Sequence, residues 1–283
     1  MWYNKNVKMR KGEKQAVGRK TFVYSDELND DFARSNGKIK KKKIDAEYKY
    51  VTKNPVWKAG AFVVYRLLAT PIGYLSMKFG YGLRIENRKA IKKFTDEKTG
   101  FFLYGNHTQG WGDAFSPTLA CFPHKVHVVV NADAVSIPVV GSVAHMVGGM
   151  PLPSDIGGMK NFLAAMKKFT DCGNVVAIYP EAHIWPYYNG IREFSDASFA
   201  YPLKFKKPVV AFVVTYRKRK VMKSRKPYIT VTLSDPFYPE NYKNKTELRN
   251  AVYAFMAETV EKQKSYGYNT YIKENKVENN DSM

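Results

Sequence analysis

Six short apolar runs in the second half of the chain limit what it can become. They are "FFLYG" from Phe101, "VHVVVN" from Val126, "GGMPL" from Gly148, "NVVAIYP" from Asn174, "PVVAFVVTY" from Pro208 and "YITVTLS" from Tyr228. They are rich in Val, Ile, Phe and Tyr and mostly lack strict polar alternation, as expected of strands buried on both faces. Between the third and fourth, "SDIGGMKNFLAAMKKFTDCG" reads as a helix. Ser154 or Asp155 can cap its start, Ile156, Met159, Phe162, Leu163, Met166 and Phe169 form its apolar face, and Gly173 suits its C-terminal cap. A second strong helix is expected from about Thr246 to Ser265. Repeated strand, helix, strand predicts an α/β fold, with a mixed, mainly parallel sheet flanked by helices. In such folds functional groups gather at the carboxyl ends of strands.

With 283 residues the chain can bury a full-sized core, and one catalytic-sized domain with extensions is favoured. Its two cysteines, Cys121 and Cys172, have no CxxC spacing, so neither a disulfide framework nor a thiolate metal site is indicated. A reducing, cytoplasmic-side location follows, and the charged start "MWYNKNVKMRKGEKQAVGRK" is unlike a secretory signal.

The formal charge of +21 implies an acidic partner. Its placement narrows the choice. The lysine-rich "NGKIKKKKIDAEYKYVTKN" runs straight into the apolar "PVWKAGAFVVYRLLATPIGYLSMKFG". Basic side chains beside such a segment can meet anionic headgroups, at roughly 1 kcal/mol per Lys or Arg near the surface. Arg66 sits near the middle of the apolar segment, and Pro71 and Gly73 lie beyond it. The expectation is therefore a helix, a break and a second short helix lying in the membrane interface, rather than a straight spanning helix. The plainer alternative is a core helix behind a solvated charge run. The expected organisation is a basic, loosely ordered extension over 1–53, an apolar helical segment over 54–83, the main domain over 84–268 and a polar tail over 269–283, with "NKVENNDSM" disordered.

Chemistry concentrates in "FFLYGNHTQGWGDAF". His107 falls just past a predicted buried strand, and Asp113 follows six residues later. On a regular helix that spacing would separate them by about 120° around the axis. Gly110 and Gly112 permit a tight reversal that brings them together. A carboxylate on one imidazole nitrogen fixes the tautomer and leaves the other nitrogen to accept a proton, which makes His107 a candidate general base. A hydrogen-bonded loop histidine with a helix-capping aspartate is the alternative.

"NHTQGWGD" resembles the histidine and aspartate motif of the glycerolipid acyltransferases, the family of lysophosphatidic acid acyltransferases, with five residues between the pair where the family usually has four. "VVVNADAVSIPVVGSVAHMVGGMPLPSD", "VVAIYPEAHIWPYYNGIREF" and "KKPVVAFVVTY" resemble the family's second, third and fourth blocks, in order. The likeness covers roughly 60–235. Ala182, His183 and Ile184 stand where glycine, threonine and arginine are usual, and Pro153 and Ser154 stand near another usual arginine.

The resemblance implies transfer of an acyl group from a thioester, acyl-CoA or acyl carrier protein, to the hydroxyl of a lysophospholipid-type acceptor such as 1-acyl-glycerol-3-phosphate, in phospholipid biosynthesis. His107 would be the base, Asp113 its orienting partner, and Glu181 an organiser of the acceptor site. Arg192, or else Lys160, would replace the missing arginines as the anion contact. No bound cofactor and no metal is implied, since His124, His127, His145 and His183 lack a ligand pattern. Two other classes stay open. A basic nucleic-acid binder would explain the charge, but no known module is present and no nucleic acid is expected. A lipid hydrolase could use the same pair on water, though there is no G-x-S-x-G elbow.

Overall fold

A computed structural model describes residues 19–32, 42–136, 140–221 and 226–274. All six predicted runs form strands: β3 (Phe102–Gly105), β4 (Val126–Val130), β5 (Gly149–Pro151), β6 (Val175–Ile178), β7 (Val209–Arg217) and β8 (Tyr228–Leu233). With β2 (Arg84–Glu86) they make a seven-stranded sheet in the order β2-β8-β7-β3-β6-β4-β5. Only the β7–β8 pairing is antiparallel. A second, two-stranded parallel sheet joins β1 (Thr21–Tyr24) to β9 (Thr270–Lys273).

The central strands are apolar on both faces because each face is covered. One side is packed by the Gly112–Ala120 helix through Leu119, together with Met77 and Phe94. The other is packed by the Ile156–Asp171 and Lys245–Lys262 helices through Phe162, Met166, Val252 and Met256. Asp155 caps the first of these by accepting from the Gly158 N–H at 2.8 Å, and Gly173 follows its end at φ +76°. The buried face of that helix differs from the expected one. Phe162, Ala165 and Met166 are inside, whereas Ile156 is 90% exposed, because the first turn packs Gly157 and Gly158, not Ile156, against Ala46 and Ile44.

The extension over 1–53 is not loosely ordered where the structure describes it. Phe22 is buried, and Ile44, with no exposed surface, exchanges hydrogen bonds with Ser154. Tyr50 donates to the Pro151 carbonyl at 2.9 Å. Apolar side chains scattered among charges anchor these segments to the domain. The 269–283 tail is likewise strand over Thr270–Lys273, while "NKVENNDSM" lies outside the described residues, as do positions 1–18 and the first lysines of the run.

Pro55–Gly80 contains no break. It is one helix, long and apolar enough by length and composition to cross a membrane, and only 28% of its most apolar window is buried. Two stretches, Val63–Ala69 and Ser76–Gly80, are π-helical. The reason lies in the side chains it must bury: Ala61, Tyr65, Gly73 and Met77, with half-buried Ala69 between them, recur every four residues. In a pure α-helix that stripe would drift by about 40° per step. The wider i→i+5 turns absorb the drift and keep it facing the domain. Thr70 donates both its backbone N–H and its hydroxyl to the Tyr65 carbonyl, and Pro71, which has no N–H to donate, follows it in the first turn of the next α-helical stretch. Opposite the stripe, Phe62, Leu67, Ile72, Leu75 and Phe79 are exposed.

Candidate active site

The chain leaves β3 through Asn106, which is fully buried. Its side chain donates to the Val214 carbonyl and accepts from the Val214 N–H, extending the β3–β7 pairing by side-chain means. His107 comes next, at the carboxyl end of the central strand. The loop after it is pinned from below by Tyr216, whose hydroxyl meets Thr108 Oγ1 at 2.6 Å and accepts from Gln109 Nε2 at 3.0 Å.

Asp113 stands in the first turn of the Gly112–Ala120 helix, and its N–H donates to the Gln109 carbonyl. His107 Nδ1 lies 2.7 Å from Asp113 Oδ2, which also accepts from the Gln109 N–H at 2.9 Å. The reversal uses no positive φ at either glycine. Gly110 faces open space, and Gly112 is needed because a Cβ there would approach Gln109 Cβ to 2.9 Å. His107 is 18% exposed, Asp113 4%. With Nδ1–H donating to Asp113, Nε2 is left as an acceptor on the partly open side of the ring. Burial raises the Asp113 carboxyl, opposed first by the hydrogen bond and charge of His107 and then by the Gln109 and Thr108 amides.

Two groups that sequence reasoning missed complete the support. Tyr179 stacks on the His107 ring at 4.4 Å between centroids and 13° between planes, and its hydroxyl donates to the Asp113 carbonyl at 2.8 Å. It follows β6, inside an apolar run that gave no sign of a site role. Trp185 and Tyr187 donate backbone N–H bonds to the carbonyls of His107 and Thr108, tying the loop to the third block.

Glu181 and Arg192 occupy different places from those expected. Glu181 accepts from the His107 N–H at 3.0 Å and the Arg192 N–H at 3.0 Å, and pairs with the Arg192 guanidinium at 3.1 Å. Both side chains have zero exposure. Arg192 also donates to the Glu181, His183 and Glu27 carbonyls and lies 4.8 Å from the Trp185 ring. Arg192 is therefore not an anion contact for an acceptor, since its donors point into protein. Glu181 holds the His107 backbone rather than lining an acceptor pocket. Its carboxyl is raised by burial, opposed first by the Arg192 charge. Lys160 is exposed on the Ile156–Asp171 helix and shares no hydrogen bond with this cluster.

Ala182, at the position where the resembled family has glycine, has φ +62°. That left-handed conformation is one a residue with a Cβ adopts at a cost. Among the described residues no group of three or more His, Cys, Asp or Glu side chains could hold a metal ion.

No protein-family model matches the sequence, and no curated protein matches it. The crystal structure of the 1-acyl-sn-glycerophosphate (LPA) acyltransferase PlsC from Thermotoga maritima is similar, with a TM-score of 0.57 and 17% sequence identity over 77% of this chain and 86% of that one. The two share a fold. That mixed, mainly parallel α/β architecture is the one expected from the six apolar runs, and the likeness spans most of both chains.

Proposed function

We propose that the protein is a membrane-associated O-acyltransferase of lipid synthesis. The observation that carries this reading is the His107–Asp113 pair, held at 2.7 Å at the carboxyl end of β3, in a fold shared with an enzyme named as an acyltransferase. The acceptor's hydroxyl proton passes to His107 Nε2, while its oxygen attacks the thioester carbonyl carbon. The C–S bond breaks, and the thiolate of CoA or acyl carrier protein takes the proton back from the imidazolium. Asp113 keeps the ring in the correct tautomer and offsets its transient charge. No covalent acyl-enzyme is required.

The acceptor class is a lysophospholipid such as 1-acyl-glycerol-3-phosphate. Support for a lipid comes from the exposed Phe62, Leu67, Ile72, Leu75 and Phe79 face, since contiguous apolar exposure marks membrane or partner surfaces. Trp111, which lies between the catalytic pair in sequence, donates to Ser76 Oγ at 3.1 Å, and Phe115 packs on Gly73. The helix thus adjoins the His107 loop, and the protein sits on the cytoplasmic face of an anionic membrane with its site at the bilayer surface.

Purified protein supplied with acyl-CoA or acyl carrier protein and 1-acyl-glycerol-3-phosphate should yield the diacyl product. His107→Ala should lower kcat by about 10²-fold or more. Free fatty acid released at the same rate without an acceptor would instead identify a hydrolase.

A further inference from the structure

Between the Pro55–Gly80 helix and the β2 edge lies a cavity of about 800 Å³. The helix contributes Arg66, Thr70, Tyr74 and Lys78 to its wall, a face adjoining the exposed apolar one, while Leu83, Ile85 and Leu119 line its interior. None of the residues around His107 lines it. The cavity is apolar through its middle, with Arg66 and Arg88 together at one end and Lys78 and Arg84 elsewhere in its wall.

That end is built by two guanidiniums from separate elements. Arg66 donates to the Pro123 carbonyl and Arg88 to the neighbouring Phe122 carbonyl. The Arg66 guanidinium also lies 5.3 Å from the Phe122 ring centroid. Neither arginine forms an ion pair among the described residues. Each guanidinium makes a single carbonyl bond and has further N–H donors, for which an anion in the cavity supplies acceptors. Glu86 borders the same space, but its carboxylate accepts from Gln263 Nε2 at 2.8 Å and from Thr232 Oγ1 at 3.3 Å.

We infer that this cavity binds one anionic phospholipid, with its phosphate on Arg66 and Arg88 and an acyl chain along Leu83, Ile85 and Leu119. The charge is complementary, the volume accommodates part of a lipid, and the exposed Leu67, Ile72 and Leu75 on the adjoining helix face put its mouth beside the bilayer. The site stands independently of the acyl-transfer reading, because it neither includes nor contacts the catalytic pair. Its occupant bridges the helix and the β2 edge, fastening the membrane-docked helix to the domain.

The test uses the full chain and dihexanoyl phosphatidylglycerol below its micellar concentration, followed by titration calorimetry. Saturable binding at one lipid per chain is expected. Arg88→Gln, at an exposed position, should weaken it by about 10-fold or more, the scale of one lost charge-assisted hydrogen bond, and Arg66→Gln should weaken it at least as much. His107→Ala should leave it unchanged. The inference is overturned if no saturable binding occurs, if Arg88→Gln binds as well as the parent, or if dihexanoyl phosphatidylcholine binds equally. Inorganic phosphate binding as tightly as the lipid would overturn it too, by showing an anion site with no use for the chain. So would loss of binding in His107→Ala, which would place the lipid in the crevice beside His107.

Discussion

Asp113 is a carboxylate kept where solvation disfavours it, and the direction of its shift makes a prediction. Its folded pKa lies above the ordinary value of 3.8, burial being the largest cause. A group shifted this way contributes stability below its unfolded pKa and loses it as pH rises through the folded value. At neutral pH the ionised side chain therefore costs stability, and on the proposed reading it serves the His107 base. Asp113→Asn should lower kcat by about 10²-fold, and urea denaturation from about pH 4 to about pH 7 should show a flatter dependence than the parent. A variant less stable than the parent at neutral pH would mean that the charge supports the fold. The approach of His107 to Asp113 was legible because one sits in the loop after an apolar run and the other opens the helix that follows, six residues on. Arg192 was misread because "GIREF" carries no sign of which way its side chain turns, and the structure buries it against Glu181. Asn106 and Tyr179 act through a strand extension and a ring stack, which need partners brought from distant parts of the chain.

The segment from Glu181 to Arg192 is an element without regular secondary structure whose order comes from one buried ion pair and the carbonyls around it. Truncating one member of such a pair leaves an uncompensated charge, at about 3–5 kcal/mol. Arg192→Ala should therefore lower the unfolding free energy, read from denaturant titration, by that amount. It should also depress kcat for every acceptor by loosening the His107 backbone, without selectively raising the acceptor KM. A selective KM effect in a fully stable protein would restore Arg192 as a substrate contact. Other elements divide by how much of their pattern is local. The β3 to β8 strands announce themselves as apolar runs, but β1, β2 and β9 are short and partly polar, at three or four residues each, and become strands only through their partners. The unbroken Pro55–Gly80 helix was written in the four-residue recurrence from Ala61 to Met77. Pro71 and Gly73 drew attention to a break instead, although Gly73 serves close packing: a Cβ there would come within 2.4 Å of Phe115.

Across the whole molecule, charge and order are not separate properties of separate regions. Removing 1–53 would take away the basic residues proposed to meet an anionic surface, and also Phe22, Ile44 and Tyr50, all buried. Burying a large apolar side chain stabilises by roughly 1.5–3 kcal/mol, so the truncated chain should melt lower by roughly 10 °C or more. Unchanged melting would show that these contacts add nothing. The aromatic set around Trp185 points the same way. Its ring stacks on Tyr271 at 5.0 Å, touches Tyr24 and Phe32, and its Nε1 donates to the Asp30 carbonyl. The β1–β9 pairing thus joins residues near 20 to residues near 270 across the segment that steadies His107. On the ribosome this imposes an order of events. Residues 21–24 emerge early but find their strand partner only once residues 270–273 have left the exit tunnel, and until then Trp185 lacks Tyr271. On the proposed reading, catalytic competence then waits until almost all of the domain is free to fold, and a nascent chain short of residue 270 carries the pair without its full support.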